Sequence, residues 1–297
     1  PNVFHTLARD RRQLVVLAIV LSLACAFVYG SADFIGGTSA RRAPVFGVTI
    51  LSQSAGFILL CAIVSFGGIY STASMAAGAL AGVFGAGGIL LLYLGLAVGR
   101  MGIVSPVTAG LAAAFPVIWG LLHGEHPTAI NDAGLGCAFV AIILVSLSPD
   151  EPGLVKLDRR FGLPAGLLEA IASGLCLGAF FVALGSIGHS GTLVTLVVAR
   201  FVSICTLLVI AAALRQTVAV PRPFLPQILA CGILDMLANV LFVLALRTGM
   251  LAIVAILSSL YPAATVALAA TLHRERLSVP QWTGVGFALT GIALIAA

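Results

Sequence analysis

Gly82-Val83-Phe84-Gly85, and the chain that follows it to Leu144, lies without a gap on Gly232-Ile233-Leu234-Asp235 and its continuation to Leu294, 150 positions later. Of the 63 aligned positions, 17 are identical, where chance at so skewed a composition gives roughly a tenth. The matches include Gly99 with Gly249, Ile103-Val104 with Ile253-Val254, and Leu122-His123-Gly124-Glu125 with Leu272-His273-Arg274-Glu275. They also include Gly134-Leu135-Gly136 with Gly284-Val285-Gly286. The chain is therefore read as two related halves.

The solvent of these halves follows from composition. Of the 297 residues, 61% are hydrophobic and only 8% charged, with a mean hydropathy of +1.18. A water-facing domain carries about 25% charged residues, so most of this surface faces lipid. Apolar runs recur at 14–35, 44–66, 75–98, 102–121, 129–148, 162–187, 191–213, 226–246, 251–272 and 279–297. Each is long enough to approach the roughly 20 residues a bilayer crossing needs. They are continuous rather than alternating, which selects helices over a barrel. The expected fold is an all-α polytopic membrane protein with ten transmembrane helices. Residues 1–148 form a first five-helix repeat, 149–161 a polar linker and 162–297 a second repeat.

Five is odd, so the second repeat enters the membrane from the side opposite the first. Two inverted repeats around a central cavity are the expected result, a design that supplies alternating access. The net charge of +5 sits singly or in pairs at the ends of apolar runs, which anchors loops and excludes a nucleic-acid patch. If the termini are cytoplasmic, four Lys and Arg residues lie on their side and ten on the other, so the charge count favours termini on the far side.

Ser105-Pro106 through Glu125, and Tyr261-Pro262 through Glu275-Arg276-Leu277-Ser278, each followed by a Gly-x-Gly helix, resemble the EamA-type transporters of the drug/metabolite transporter superfamily. Tyr29-Gly30-Ser31-Ala32 is similar to the aromatic-Gly-Ser start of that family's first helix. The first copy departs from the family's turn, with Gly124-Glu125-His126-Pro127 where Arg-Leu is common. The resemblance implies a transporter of amino acids or related small metabolites across an inner membrane. It also implies a cavity lined mainly by the first, third and fourth helices of each half, and termini on the cytoplasmic side.

Intramembrane ionisable groups cost about 2.5–3.5 kcal/mol each on insertion scales, so each needs a reason. Asp235, with Asn239 one turn later on the same face, is a candidate for cavity lining or proton coupling. Asp33, one turn after Tyr29, is the second proton-coupling candidate or else a helix-end residue near Arg41 and Arg42. Glu169 and Arg200 are expected to pair, although the planar fork of Arg200 also suits a substrate carboxylate. Glu125 and Glu275 are expected to accept backbone N–H groups at helix starts. Tyr93, Thr108, Trp119, Ser258 and Tyr261 complete the substrate-binding candidates, with Thr108 and Ser258 equivalent in the repeat. No metal-ligand spacing, cofactor motif or nucleophile arrangement is present, so neither metal, cofactor nor enzymatic activity is expected. The expected partners are a small-molecule substrate and the bilayer, and ten helices can enclose a cavity within a monomer. A lipid flippase or membrane enzyme, and a non-transporting scaffold, are the alternatives.

Overall fold

The computed structural model describes residues 2–64, 72–99, 101–125, 127–146, 165–186, 192–264 and 278–296. The polar linker at 149–161, His273 and Glu275 lie outside the described residues. The helices are α1 (Asn2–Ala40), α2 (Val45–Val64), α3 (Thr72–Val98), α4 (Met101–Leu122), α5 (Ala129–Ser146), α6 (Leu167–Gly185), α7 (Thr192–Ala213), α8 (Leu225–Leu246), α9 (Leu251–Ser258) and α10 (Val279–Ala296). A 3-10 turn at Arg222–Phe224 precedes α8, and no strand occurs among the described residues. The protein is thus an all-α polytopic membrane protein. Among the described residues, seven helices are long and apolar enough to cross a membrane, and Ala129–Leu144, Leu251–Ala264 and Val279–Ile295 form shorter apolar helices.

Local chemistry sets several helix ends. The last helix of each half starts with a side-chain cap in the same repeat register. The hydroxyl of Thr128 accepts the N–H of Asn131 at 3.2 Å before α5. Gln281 Oε1 accepts the N–H of Ser278 at 2.9 Å before α10. These are the two complementary arms of a capping box, one used in each half. The α9 helix breaks at Ser259–Leu260 because Pro262 has no N–H for the Ser258 carbonyl. The chain tightens there, with Leu260 N–H on Leu257 O at 3.2 Å and Ala263 N–H on Leu260 O at 2.9 Å. At the other end of the chain α1 runs to Ala40, beyond the expected end at 35. Asp33 is therefore inside a helix and does not mark its end. The nearby Arg41 donates instead to the Leu96 carbonyl at 3.0 Å, capping the C-terminus of α3.

The two halves interleave. The closest helix pairs join one half to the other: α1 with α8, α3 with α6 and α7, α4 with α6, α2 with α7 and α8, α4 with α9, and α5 with α10. Exchanging each helix for its equivalent five places on turns α1–α8 into α3–α6 and α2–α8 into α3–α7, and leaves α2–α7, α4–α9 and α5–α10 unchanged. The packing is thus pseudo-two-fold. Lipid offers no hydrophobic drive for helix association, so close backbone contact must supply it. The Gly78–Gly82 and Gly174–Gly178 pairs do this. A Cβ on Gly82 would stand 2.6 Å from the Ala199 carbonyl of α7, and one on Gly174 2.8 Å from the Thr108 carbonyl of α4.

Glu125 shows the inversion directly. Its carboxylate accepts the N–H of Leu251 at 2.8 Å and of Ala252 at 3.0 Å. The end of α4 thus meets the start of α9, its own repeat equivalent, as two copies running in opposite directions require. Glu125 was expected to cap a helix start, and it caps one in the other half rather than the adjacent α5. Removing it strips two N–H groups of their acceptor at a helix N-terminus. Glu125→Ala is expected to cost about 1–2 kcal/mol, read as a drop of several degrees in the thermal midpoint in detergent. Glu125→Gln is expected to fall between Ala and wild type. An unchanged midpoint for the Ala variant would remove Glu125 as a tie between the halves.

Candidate functional site

A cavity of about 650 Å³, the open space at its mouth included, lies between the halves. Its walls come from α1 (Tyr29, Asp33), α2 (Gln53), α3 (Gly85 and its neighbours), α6 (Phe180, Phe181), α7 (Arg200, Ser203) and α8 (Asp235, Asn239), with Tyr261 from the segment after the α9 break. The first three helices of each half therefore line it. The expectation that each fourth helix also contributes holds for the second half, through Tyr261, and is corrected for the first: among the described residues none of α4 lines the cavity, because α4 packs against α6.

Positions equivalent in the repeat meet at these walls. Gln53 and Ser203, Gly85 and Asp235, and Ile89 and Asn239 are all cavity-lining pairs, each 150 positions apart. The frame is symmetric, but its chemistry is not. Where the second half places a carboxylate and an amide, the first places glycine and isoleucine.

One polar cluster dominates. Arg200 on α7 donates from Nη2 to Asp235 Oδ2 on α8 at 2.6 Å, and from Nη1 to Gln53 Oε1 on α2. Charge-assisted bonds of this kind are the strong ones, and in a region without bulk water they satisfy groups that would otherwise be costly. The expected Glu169–Arg200 pair is not the one formed. Glu169 sits in the first turn of α6, with its Cβ beside Gly95 of α3, so rotation of α7 toward α8 gives Arg200 to Asp235. The fork of Arg200 is also occupied, and a substrate carboxylate would have to displace Asp235 or Gln53 to reach it.

Asn239 donates from Nδ2 to the Asp235 backbone carbonyl at 2.7 Å. A carbonyl can pair only with the NH₂ side of the amide, which fixes the side-chain orientation. Asn239 Oδ1 is then a buried acceptor with no hydrogen-bond partner. Ser203 Oγ, also on the wall, is in the same condition. Asp33 is half-buried on the wall, and its carboxylate has no hydrogen-bond or ion-pair partner among the described residues. Aromatic rings cover the apolar side. Tyr29 meets Phe181 at 6.4 Å and Tyr261 at 6.5 Å between centroids, both edge-on, and Phe181 stacks on Phe242 at 4.5 Å.

Of the sequence candidates, Tyr29, Asp33, Arg200, Asp235, Asn239 and Tyr261 are brought together. Tyr93 is not: it is fully buried, and its hydroxyl pairs with Cys231 Sγ at 3.1 Å. Thr108 is buried too, donating to the Ala170 carbonyl at 3.2 Å across the α4–α6 contact. Trp119 is 38% exposed and stacks on His123 at 3.9 Å, on the outside of α4. Ser258 is buried in α9 away from the cavity. Phe180, Phe181 and Ser203 escaped the sequence reading. Two phenylalanines and a serine in apolar runs carry no signal of their own, although Ser203 could have been found as the repeat partner of Gln53. Among the described residues no three potential metal ligands converge.

Comparison with known proteins adds a family and a fold. The model of the EamA-like transporter family matches residues 164–297. An uncharacterized protein of Methanocaldococcus jannaschii is 30% identical over 130 residues, which make up 44% of this chain and 92% of that protein. That relative is thus about half as long as this chain. A solved crystal structure of 16% sequence identity superposes with a TM-score of 0.71, covering 96% of this chain and 96% of that one. At such identity the likeness is one of fold.

The Arg200–Asp235 pair predicts a non-additive mutant cycle. Asp235→Leu or Arg200→Met alone leaves one charge without its partner and is expected to cost ~3–5 kcal/mol. The double variant removes both charges and is expected to lose far less than the sum of the two single losses. The readout is unfolding in detergent, and additive losses would show that the pair is not energetically coupled.

Proposed function

The chain belongs to the EamA-like transporter family, and on that premise we propose that it is a secondary transporter moving an amino acid or related small metabolite across the cytoplasmic membrane, in the direction of export. The observation that carries this reading is the cavity between the two inverted halves, lined by a charged cluster and by aromatic rings. A scaffold has no use for an intramembrane ion pair beside an unpaired carboxylate, given what such groups cost in lipid. A membrane enzyme or flippase would need acids, histidines or arginines clustered at an interface. The converging charged groups instead lie at the cavity wall.

Cargo enters the cavity and the halves rock against each other, so that the opening passes from one face to the other. Tyr29, Tyr261, Asp235 and Asn239 contact it. Arg200 holds Asp235 in place through its fork, and Glu125 keeps α9 against the end of α4. The proton-coupling role falls to Asp33 rather than Asp235. Asp235 is already engaged by the guanidinium 2.6 Å away, whereas Asp33 has no fixed counter-charge among the described residues, so a proton on it breaks no ion pair. The half-length relative supports reading the five-helix repeat as a unit in its own right.

Purified protein in proteoliposomes, loaded with a panel of amino acids and related solutes, is expected to show flux of at least one solute that an imposed pH gradient accelerates. Asp33→Asn is expected to abolish that acceleration. Acceleration that survives in Asp33→Asn but disappears in Asp235→Asn would return the coupling role to Asp235. No flux across the panel would favour the scaffold.

A further inference from the structure

The cavity's polar groups are unevenly matched, and the mismatch specifies a ligand. Arg200, the one cation on its walls among the described residues, is spent on Asp235 and Gln53. Three groups remain without partners on the same walls: the carboxylate of Asp33 on α1, Oδ1 of Asn239 on α8 and the hydroxyl of Ser203 on α7, of which the first two, when Asp33 is ionised, can only accept. Asn239 is 2% exposed, and a buried acceptor left unpaired costs about 1–3 kcal/mol. With Asp33 and Asp235 ionised, the cavity carries two negative charges and one positive. What would complete it is a ligand that brings a positive charge and N–H donors. A carboxylate ligand would meet Asp33 while Arg200 stays committed to its own partners.

The apolar lining agrees. Tyr29, Phe181 and Tyr261 present rings on the wall that Asp33 shares, one helical turn from Tyr29. Aromatic faces attract a desolvated ammonium and also pack against a hydrocarbon body. We infer that the transported ligand is an amine with an apolar body, its ammonium held between the Asp33 carboxylate and Asn239 Oδ1 and its body against Tyr29, Phe181 and Tyr261. This rests on the transporter reading above and narrows it. The recognised group is the cationic nitrogen, and a carboxylate on the cargo is not required.

A charge series on one apolar body tests this: 3-phenylpropylamine, 3-phenylpropanol and 3-phenylpropanoate, titrated calorimetrically into the purified full chain in detergent. The ammonium is expected to bind at least about tenfold tighter than either analogue, the scale of one desolvated ion or cation–π contact. Asp33→Asn is expected to bring it down to the level of the alcohol, and Asp33→Glu to keep its advantage. Asn239→Ala is expected to weaken the ammonium more than the alcohol. Thermal midpoints of the variants establish that each is folded, and the wild-type series stands without any variant. Equal binding of the three, tighter binding of the carboxylate, or no binding of any overturns the assignment. So does an ammonium preference that survives in folded Asp33→Asn. Counterflow of the same compounds in proteoliposomes separates this inference from its premise. Asp33-dependent ammonium binding without counterflow supports the assigned site and removes the transporter, while counterflow of the alcohol or carboxylate with no ammonium preference keeps the transporter and overturns the amine.

Discussion

A guanidinium inside a bilayer must be answered from within the protein, and here the answer ties three helices together. Arg200 joins α7 to α8 through Asp235 and to α2 through Gln53. No bulk water is at hand to take over if one partner leaves, so the geometry of all three helices is constrained at once. The cavity follows from that constraint. With the polar groups of α2, α7 and α8 drawn into one cluster, much of the remaining lining falls to apolar and aromatic side chains, Tyr29, Phe180, Phe181 and Tyr261 among them. A polar cluster in an otherwise mainly apolar lining results from satisfying a single cation.

The placement of this cluster follows from the symmetry. The α2–α7 pair maps onto itself when the halves are exchanged, so the pseudo-two-fold axis passes between these helices. The Arg200–Gln53 bond spans that pair. The α4–α9 pair also maps onto itself, and the Glu125 carboxylate ties it at one end. One tie lies at the cavity wall and the other at a helix end, both between self-equivalent partners. If the halves rock, contacts near the axis change least, which leaves the polar wall standing while the openings exchange.

Much of the frame was legible in the sequence because it rests on long-range statistics of residue type. Too few charges to coat a water-facing surface meant lipid, continuous apolar runs meant helices, and the 150-residue offset with five-helix parity meant inversion. The Asp235–Asn239 face was legible too, since two polar residues one turn apart in an apolar run mark a helix face turned away from lipid. Partner choice was not. Whether Arg200 meets Glu169 or Asp235 depends on how α7 is rotated against α6 and α8, which the spacing along the chain does not encode. Thr108 and Ser258 misled for a related reason. Their equivalence in the repeat is real, but equivalence locates a residue relative to the axis and not relative to the cavity. Both are taken up in helix packing. Tyr93 has a polar tip that suits a pocket equally well, but a cysteine on α8 receives it.

Symmetry in the backbone and asymmetry in the side chains serve different ends. A pseudo-two-fold frame requires only that each half can adopt the other's conformation, which glycine and alanine faces permit in both copies. A binding site on the axis carries no such requirement, since one ligand need not be symmetric. Gly85 opposite Asp235 and Ile89 opposite Asn239 show the two demands separated at the same positions. The first half supplies room and apolar surface, and the second supplies charge and hydrogen bonds. Asp33 breaks the pattern, as a first-half carboxylate with no fixed partner among the described residues. In a structure that answers Arg200 twice over, an acid left unanswered on the same cavity decides the sign of the charge that the cavity receives from outside.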